Sequence, residues 1–175
     1  MPARPALLEL AACVARAVDA AGAANPGAMT RALSRCAPVD ELLEPAQRQG
    51  SAAGYSRHVL YADPAGRFTI VSLVWEGGQA SPVHAHHTWC GYAVVEGALL
   101  ERGFRDAGGG TAAALTESLR PPGSTVFDPG GHAIHQLLNP GAGRCISIHV
   151  YGVEPARVAT DVNRVYDERL AATSL

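Results

Sequence analysis

The chain has 175 residues, of which 47% are apolar and 17% charged, with a formal net charge of −2. That size and apolar content suit one folded domain with a single core and exclude a disordered chain. The near-neutral charge, with no basic stripe, excludes nucleic acid and anionic membrane as expected partners.

The first fifty residues read as helical. Leu7, Leu8, Leu10, Ala11, Val14, Ala15 and Val18 recur at helical spacing and predict one helix running to about Ala20. Glu9, Arg16 and Asp19 interrupt this apolar stretch, so it does not read as a signal peptide. Gly22 and Asn25-Pro26-Gly27 break the pattern, a short helix is expected over Ala28–Ser34, and one further turn over Val39–Leu43. No apolar run is long enough to span a bilayer. Cys13, Cys36, Cys90 and Cys145 lie far apart with no CxxC pair, which points to reduced thiols and a cytoplasmic protein.

From Tyr55 the pattern changes. Tyr55–Tyr61 and the β-branched, aromatic run Phe68–Trp75 predict strands, joined by a tight turn at Asp63-Pro-Ala-Gly66. Further strands are expected at His84–Trp89, Gly91–Val95, Leu99–Phe104, Leu115–Leu119, Ser124–Phe127, His135–Leu138 and Cys145–Tyr151, punctuated by Gly and Pro clusters. Many short strands with regular turns predict a mainly β sandwich or barrel. The expected layout is a helical cap over residues 1–50, a β-barrel over 51–155, and a polar, partly helical tail over 156–175 packed on the same domain.

His84-Ala-His86 places two imidazoles on one face of a strand, where both can reach one ion. Downstream, the Gly-rich stretch from Gly123 through Pro129 and Gly131 delivers two more histidines, His132 and His135. Either can serve as a third ligand. His132 lies in the turn and is expected to face solvent; His135 lies in an apolar stretch and is the preferred candidate.

Gly78, five residues, then His84-Ala-His86 resembles the opening of the first cupin motif. Gly123, Pro129, Gly131, His135 and Asn139 resemble the second, with one extra residue before the His. Where most cupins supply a Glu, this chain has Cys90, which resembles the cysteine dioxygenase group of thiol dioxygenases. Tyr55-Ser-Arg57 is similar to that family's YxR strand, and Ser147-Ile-His149-Val-Tyr151 to its SxHxY strand. The resemblance covers roughly residues 55–151 and implies a cupin jelly-roll β-barrel.

The resemblance further implies Fe(II) held by His84, His86 and His135, and oxidation of L-cysteine by O2 to cysteine sulfinate. It assigns Arg57 to the substrate carboxylate, which a guanidinium fork binds bidentately, with Tyr55 supporting the same group. Tyr151 would aim its hydroxyl at the metal, oriented by His149 and Ser147. Cys90 is the position from which relatives form a thioether to that Tyr. The expected partners are a small thiol and O2, in a monomer or weak homo-oligomer. His87, His58 and Glu96 are not expected in the site, and Trp75 and Trp89 read as core walls.

Three other readings remain open at this point. One is a dioxygenase for 3-mercaptopropionate or mercaptosuccinate, against which Arg57 weighs moderately. The second is a metal-binding cupin without turnover, acting as a ligand sensor. The third is a structural barrel with an incidental His cluster.

Overall fold

The computed structural model of the chain describes residues 4–130, 133–160 and 162–168. Helix α1 (Pro5–Ala17) starts with Pro at its first turn and buries Leu7, Leu10, Ala11, Val14 and Ala17, the face its 3.6-residue periodicity sets. Helix α2 (Pro26–Leu33) is capped by Asn25, whose side chain accepts a hydrogen bond from the Ala28 amide at 2.9 Å. The turn α3 (Val39–Leu42) follows, then a 3₁₀ turn over Pro45–Arg48. Among the described residues no helix is long and apolar enough to cross a membrane.

Ten strands follow: β1 (Ser56–Ala62), β2 (Thr69–Trp75), β3 (Val83–His86), β4 (Cys90–Glu96), β5 (Leu99–Gly108), β6 (Thr111–Arg120), β7 (Thr125–Asp128), β8 (Ile134–Leu138), β9 (Cys145–Tyr151) and β10 (Asn163–Glu168). They form a sheet ordered β1-β2-β9-β4-β7 and a second ordered β10-β3-β8-β5-β6, closed by a parallel contact between β10 and β6. A helical turn, α4 (Pro155–Val158), separates β9 from β10.

The central strands of the first sheet are buried on both faces. Ile146, Ile148 and Val150 of β9 pack with Phe68, Ile70, Ala93 and the apolar faces of α1 and α2. The alternate residues Ser147, His149 and Tyr151 point the other way, toward the second sheet. Every residue of β2 and β9 is buried, including the polar Thr69, Ser72, Ser147 and His149. A Cβ on Gly91 would come within 2.8 Å of Leu33, so only glycine lets α2 seat this closely on β4.

The turn between β8 and β9 is pinned by buried Asn139. Its amide donates to the carbonyls of Trp75 (3.0 Å) and Gly143 (2.7 Å), and its side-chain oxygen accepts from the Gly141 amide (3.0 Å).

Three expectations are corrected by the structure. The strand carrying the HxH pair ends at His86 rather than Trp89, because bends at His87 and Thr88 lead into β4. The strand expected over Leu115–Leu119 spans Thr111–Arg120. Residues 163–168 are a barrel strand, so pairing extends past the boundary expected at residue 155.

Candidate metal centre

His84 and His86 lie in β3, and His135 lies directly across from His84 in β8. One ring nitrogen from each falls within 4.8 Å of the others, and all three residues are buried. Each ring meets the others at centroid distances of 4.7–5.2 Å. Burial, reinforced by the neighbouring His135 and His86, pushes His84 down to about 3. Burial also holds His86 below the ordinary imidazole range. His84 and His86 therefore present neutral imidazoles, the form that binds metal.

The outward nitrogens are engaged unequally. Nδ1 of His84 sits 2.9 Å from the Pro82 carbonyl, and Nδ1 of His135 sits 2.9 Å from Glu101 Oε1. Nδ1 of His86 is 3.8 Å from Asp128 Oδ2, too far for a hydrogen bond, and neither atom has another partner among the described residues. Nε2 of His135 is buried without a hydrogen-bond partner among the described residues. An orphaned nitrogen aimed at two other imidazoles fits a metal ion, whose binding would satisfy it. The donor set is all imidazole, which suits Fe, Zn, Cu or Ni.

The cluster faces β9 and β1 across a small cavity of ≈ 10 Å³, lined among others by Tyr55, Arg57, His149, Tyr151 and Asn163. Its volume accommodates about one water molecule. Arg57 donates to the Val158 carbonyl at 2.9 Å, while its Nε is buried and unpartnered. Tyr55 stacks on Trp75 with ring centroids 4.4 Å apart.

Ser147, His149 and Tyr151 form a polar line on β9. Trp75 Nε1 donates to Ser147 Oγ at 3.0 Å, and that oxygen lies 2.9 Å from His149 Nε2. An indole nitrogen only donates, so full pairing sends the serine proton to His149 Nε2. The remaining imidazole proton then sits on Nδ1, 3.5 Å from the Tyr151 hydroxyl. The phenol accepts weakly there and keeps its own proton free to donate. Burial pushes Tyr151 well above the ordinary phenol range and His149 well below the ordinary imidazole range, so both are neutral.

Cys90 lies directly opposite Tyr151 in the β4–β9 ladder, and both residues are buried. Cys90 also lines a larger cavity of ≈ 290 Å³ behind the imidazoles, shared with His86, His135, Glu101, Arg120 and Asp128.

The structure thus brings together His84, His86 and His135, and sets Arg57, Tyr55, His149 and Tyr151 around the adjoining space, with Ser147 bonded to His149. His132 lies outside the described residues. His87 is exposed, and Glu96 pairs with Arg144 at 2.8 Å on the surface. Trp75, expected as a core wall, also anchors Ser147. Sequence reading missed Glu101, Arg120, Asp128 and Asn163. Asn163, opposite His86 in β10, carries a buried unpartnered Oδ1. An acidic side chain turned inward on β5 would have flagged Glu101, but only once the β5–β8 register was known.

No model of a known protein family matches the chain. Among solved structures, the TT1209 protein of Thermus thermophilus is similar at a TM-score of 0.50 and 21% identity. That match covers 65% of this chain and 98% of the other. A Klebsiella pneumoniae protein with a double-stranded β-helix domain is similar at a TM-score of 0.55 and 13% identity, covering 74% and 93%. At these identities the likeness concerns fold. The chain is a cupin-type β-barrel with a helical N-terminal region, carrying a buried three-histidine group that can bind a metal ion.

Proposed function

We propose that this protein is a non-haem Fe(II) thiol dioxygenase that oxidises L-cysteine with O2 to cysteine sulfinate. The observation that carries the reading is the pairing of Cys90 with Tyr151 beside a ligand set of three imidazoles and no carboxylate. A purely structural barrel has no use for three buried imidazoles converging on an unpartnered nitrogen, which burial makes costly.

His84, His86 and His135 would hold the iron. Fe(II), when bound, supplies open coordination positions for the thiol substrate and O2. Arg57 binds the carboxylate: its Nε is unpartnered and its Nη1 is held only by a backbone carbonyl, which a carboxylate replaces with a stronger charge-assisted bond. Tyr151 donates its proton toward the reacting sulfur or oxygen, with His149 and Ser147 keeping the phenol in place. The space beside Arg57 is smaller than a cysteine molecule. Carboxylate binding therefore displaces the Val158 carbonyl from Arg57.

The test is O2 consumption by Fe(II)-loaded protein with L-cysteine, 3-mercaptopropionate and mercaptosuccinate side by side, with mass spectrometry for the sulfinate. Uptake with cysteine and formation of its sulfinate is the expected outcome. Turnover of another thiol keeps the chemistry and overturns the substrate. No uptake with any of the three, on protein shown to hold iron, overturns the dioxygenase reading in favour of a non-catalytic cupin.

A further inference from the structure

The carboxylate absent from the histidine cluster reappears one hydrogen bond further out. Glu101 Oε1 lies 2.9 Å from Nδ1 of His135, and its Oε2 accepts from Arg120 Nε at 2.9 Å, with Nη2 of the same guanidinium 2.7 Å away in an ion pair. Arg120 offers only donors and occupies Oε2, which leaves Oε1 as the oxygen facing His135. A carboxylate gripped by a guanidinium only accepts. Nδ1 of His135 must therefore carry the ring proton, which leaves the lone pair on Nε2, the buried atom facing His84 and His86.

We infer that Glu101, gripped by Arg120, is a positioning residue that fixes His135 in the Nδ1–H tautomer and so creates the third metal-binding nitrogen. This rests on the three-histidine metal-site reading. The three ligands differ in this respect. The His84 tautomer is set by the Pro82 backbone carbonyl, which no substitution removes. Among the described residues, His86 has no side chain or carbonyl at hydrogen-bond distance on Nδ1. His135 alone depends on a replaceable side chain.

The inference makes an ordering that a structural role would not. In Glu101→Gln, Arg120 offers only donors and claims the amide oxygen. The amide N–H then faces His135 Nδ1, which becomes an acceptor, and the ring proton moves to Nε2, where it blocks the metal. In Glu101→Ala, water from the adjoining ≈ 290 Å³ cavity can accept the Nδ1 proton, so the productive tautomer survives in part. The isosteric Gln is thus more damaging than Ala. Removing the claimant in Glu101→Gln/Arg120→Met frees the amide oxygen for His135 and restores binding.

Two measurements test it on the full chain. Nitrogen-15 NMR of the metal-free protein reads the His135 tautomer, expected as Nδ1–H in wild type and Nε2–H in Glu101→Gln. Competition titration with Co(II) reads the site, with binding expected to weaken by ~10–100-fold in Glu101→Gln. A smaller loss is expected in Glu101→Ala, and recovery in the double variant. Glu101→Gln that keeps the Nδ1–H tautomer, or that binds Co(II) better than Glu101→Ala, overturns the inference. Wild type that takes up no Co(II) overturns the metal-site reading instead, while the NMR arm still judges the tautomer.

Discussion

Arg57 shows how much a single side chain decides in this site. It sits on β1, shares the small cavity with the three histidines, and satisfies only part of its donor set within the protein. A guanidinium with spare donors in a buried space is suited to a carboxylate. Arg57→Gln should lower kcat/KM for L-cysteine by about ten- to a hundredfold, the worth of a charge-assisted hydrogen bond. Cysteamine has the same thiol and amine but no carboxylate, so its kcat/KM should change little. Equal losses on both thiols, measured by O2 uptake, would sink the clamp. Tyr151 offers a companion test. If turnover joins Cys90 Sγ to the phenol ring, an S–H and a C–H bond are lost, and O2 takes both electrons and both protons. Intact mass should then fall by two hydrogens after turnover with cysteine, and not in Cys90→Ala.

At the scale of elements, strand β10 is the piece that sequence reading left out. Asn163–Glu168 alternates poorly: Tyr166 is its one buried residue, and the rest are half-buried or exposed. Its partner β3 lies about eighty residues earlier, so no local turn signal ties the two together. The same lack of contrast hid the length of β6, whose Ala-rich, half-exposed run carries little strand signal. By contrast β2 and β9 were legible because both faces are buried and the residues are β-branched. The HxH pair and His135 were legible because a period of two and a Gly-rich turn leave marks in the sequence itself. Tyr166 packs with Val83, Ala85, Phe104 and Ile134, and so fixes the strand that backs His84 and His86. Tyr166→Ala should cost about 3–5 kcal/mol and weaken metal binding, whereas Tyr166→Phe should leave both nearly unchanged. Loss of metal in Tyr166→Phe would show that the hydroxyl, not the packing, matters. The β1–β2 turn carries its own pH signature. Hydrogen bonds from Arg67 hold the Asp63 carboxyl below its ordinary range. A lowered folded-state pKa gives stability that is present above the unfolded value of about 3.9 and is lost as pH falls through the folded value. Asp63→Asn should therefore lower Tm at neutral pH and flatten its fall in acid; an unchanged acid limb would count against the pair.

Over the whole molecule, the first sheet separates stability from chemistry by its two faces. Helices α1 and α2 cover the outer face, and the largest continuous apolar cluster joins them to Phe68, Ile146, Ile148 and Val150. The inner face gives its polar residues to the site, with Tyr92 stacked on His149 and Tyr151 5.7 Å from His86 between ring centroids. One strand serves both tasks because successive side chains point to opposite sides. On β4, Gly91 faces Leu33 of the cap, while Cys90 and Tyr92 face the interior. A substitution in the cap should then act on folding without reaching the histidines. Leu33→Ala should cost about 2–5 kcal/mol, each kcal/mol lowering Tm by roughly 2–4 °C. Co(II) affinity at 25 °C should stay within about twofold of wild type, since ΔΔG at sites without shared partners adds to within a few tenths of a kcal/mol. A Leu33→Ala protein that is folded by circular dichroism yet binds Co(II) tenfold more weakly would mean that α2 holds β4 in register for the site. The cap would then be part of the metal centre rather than its support.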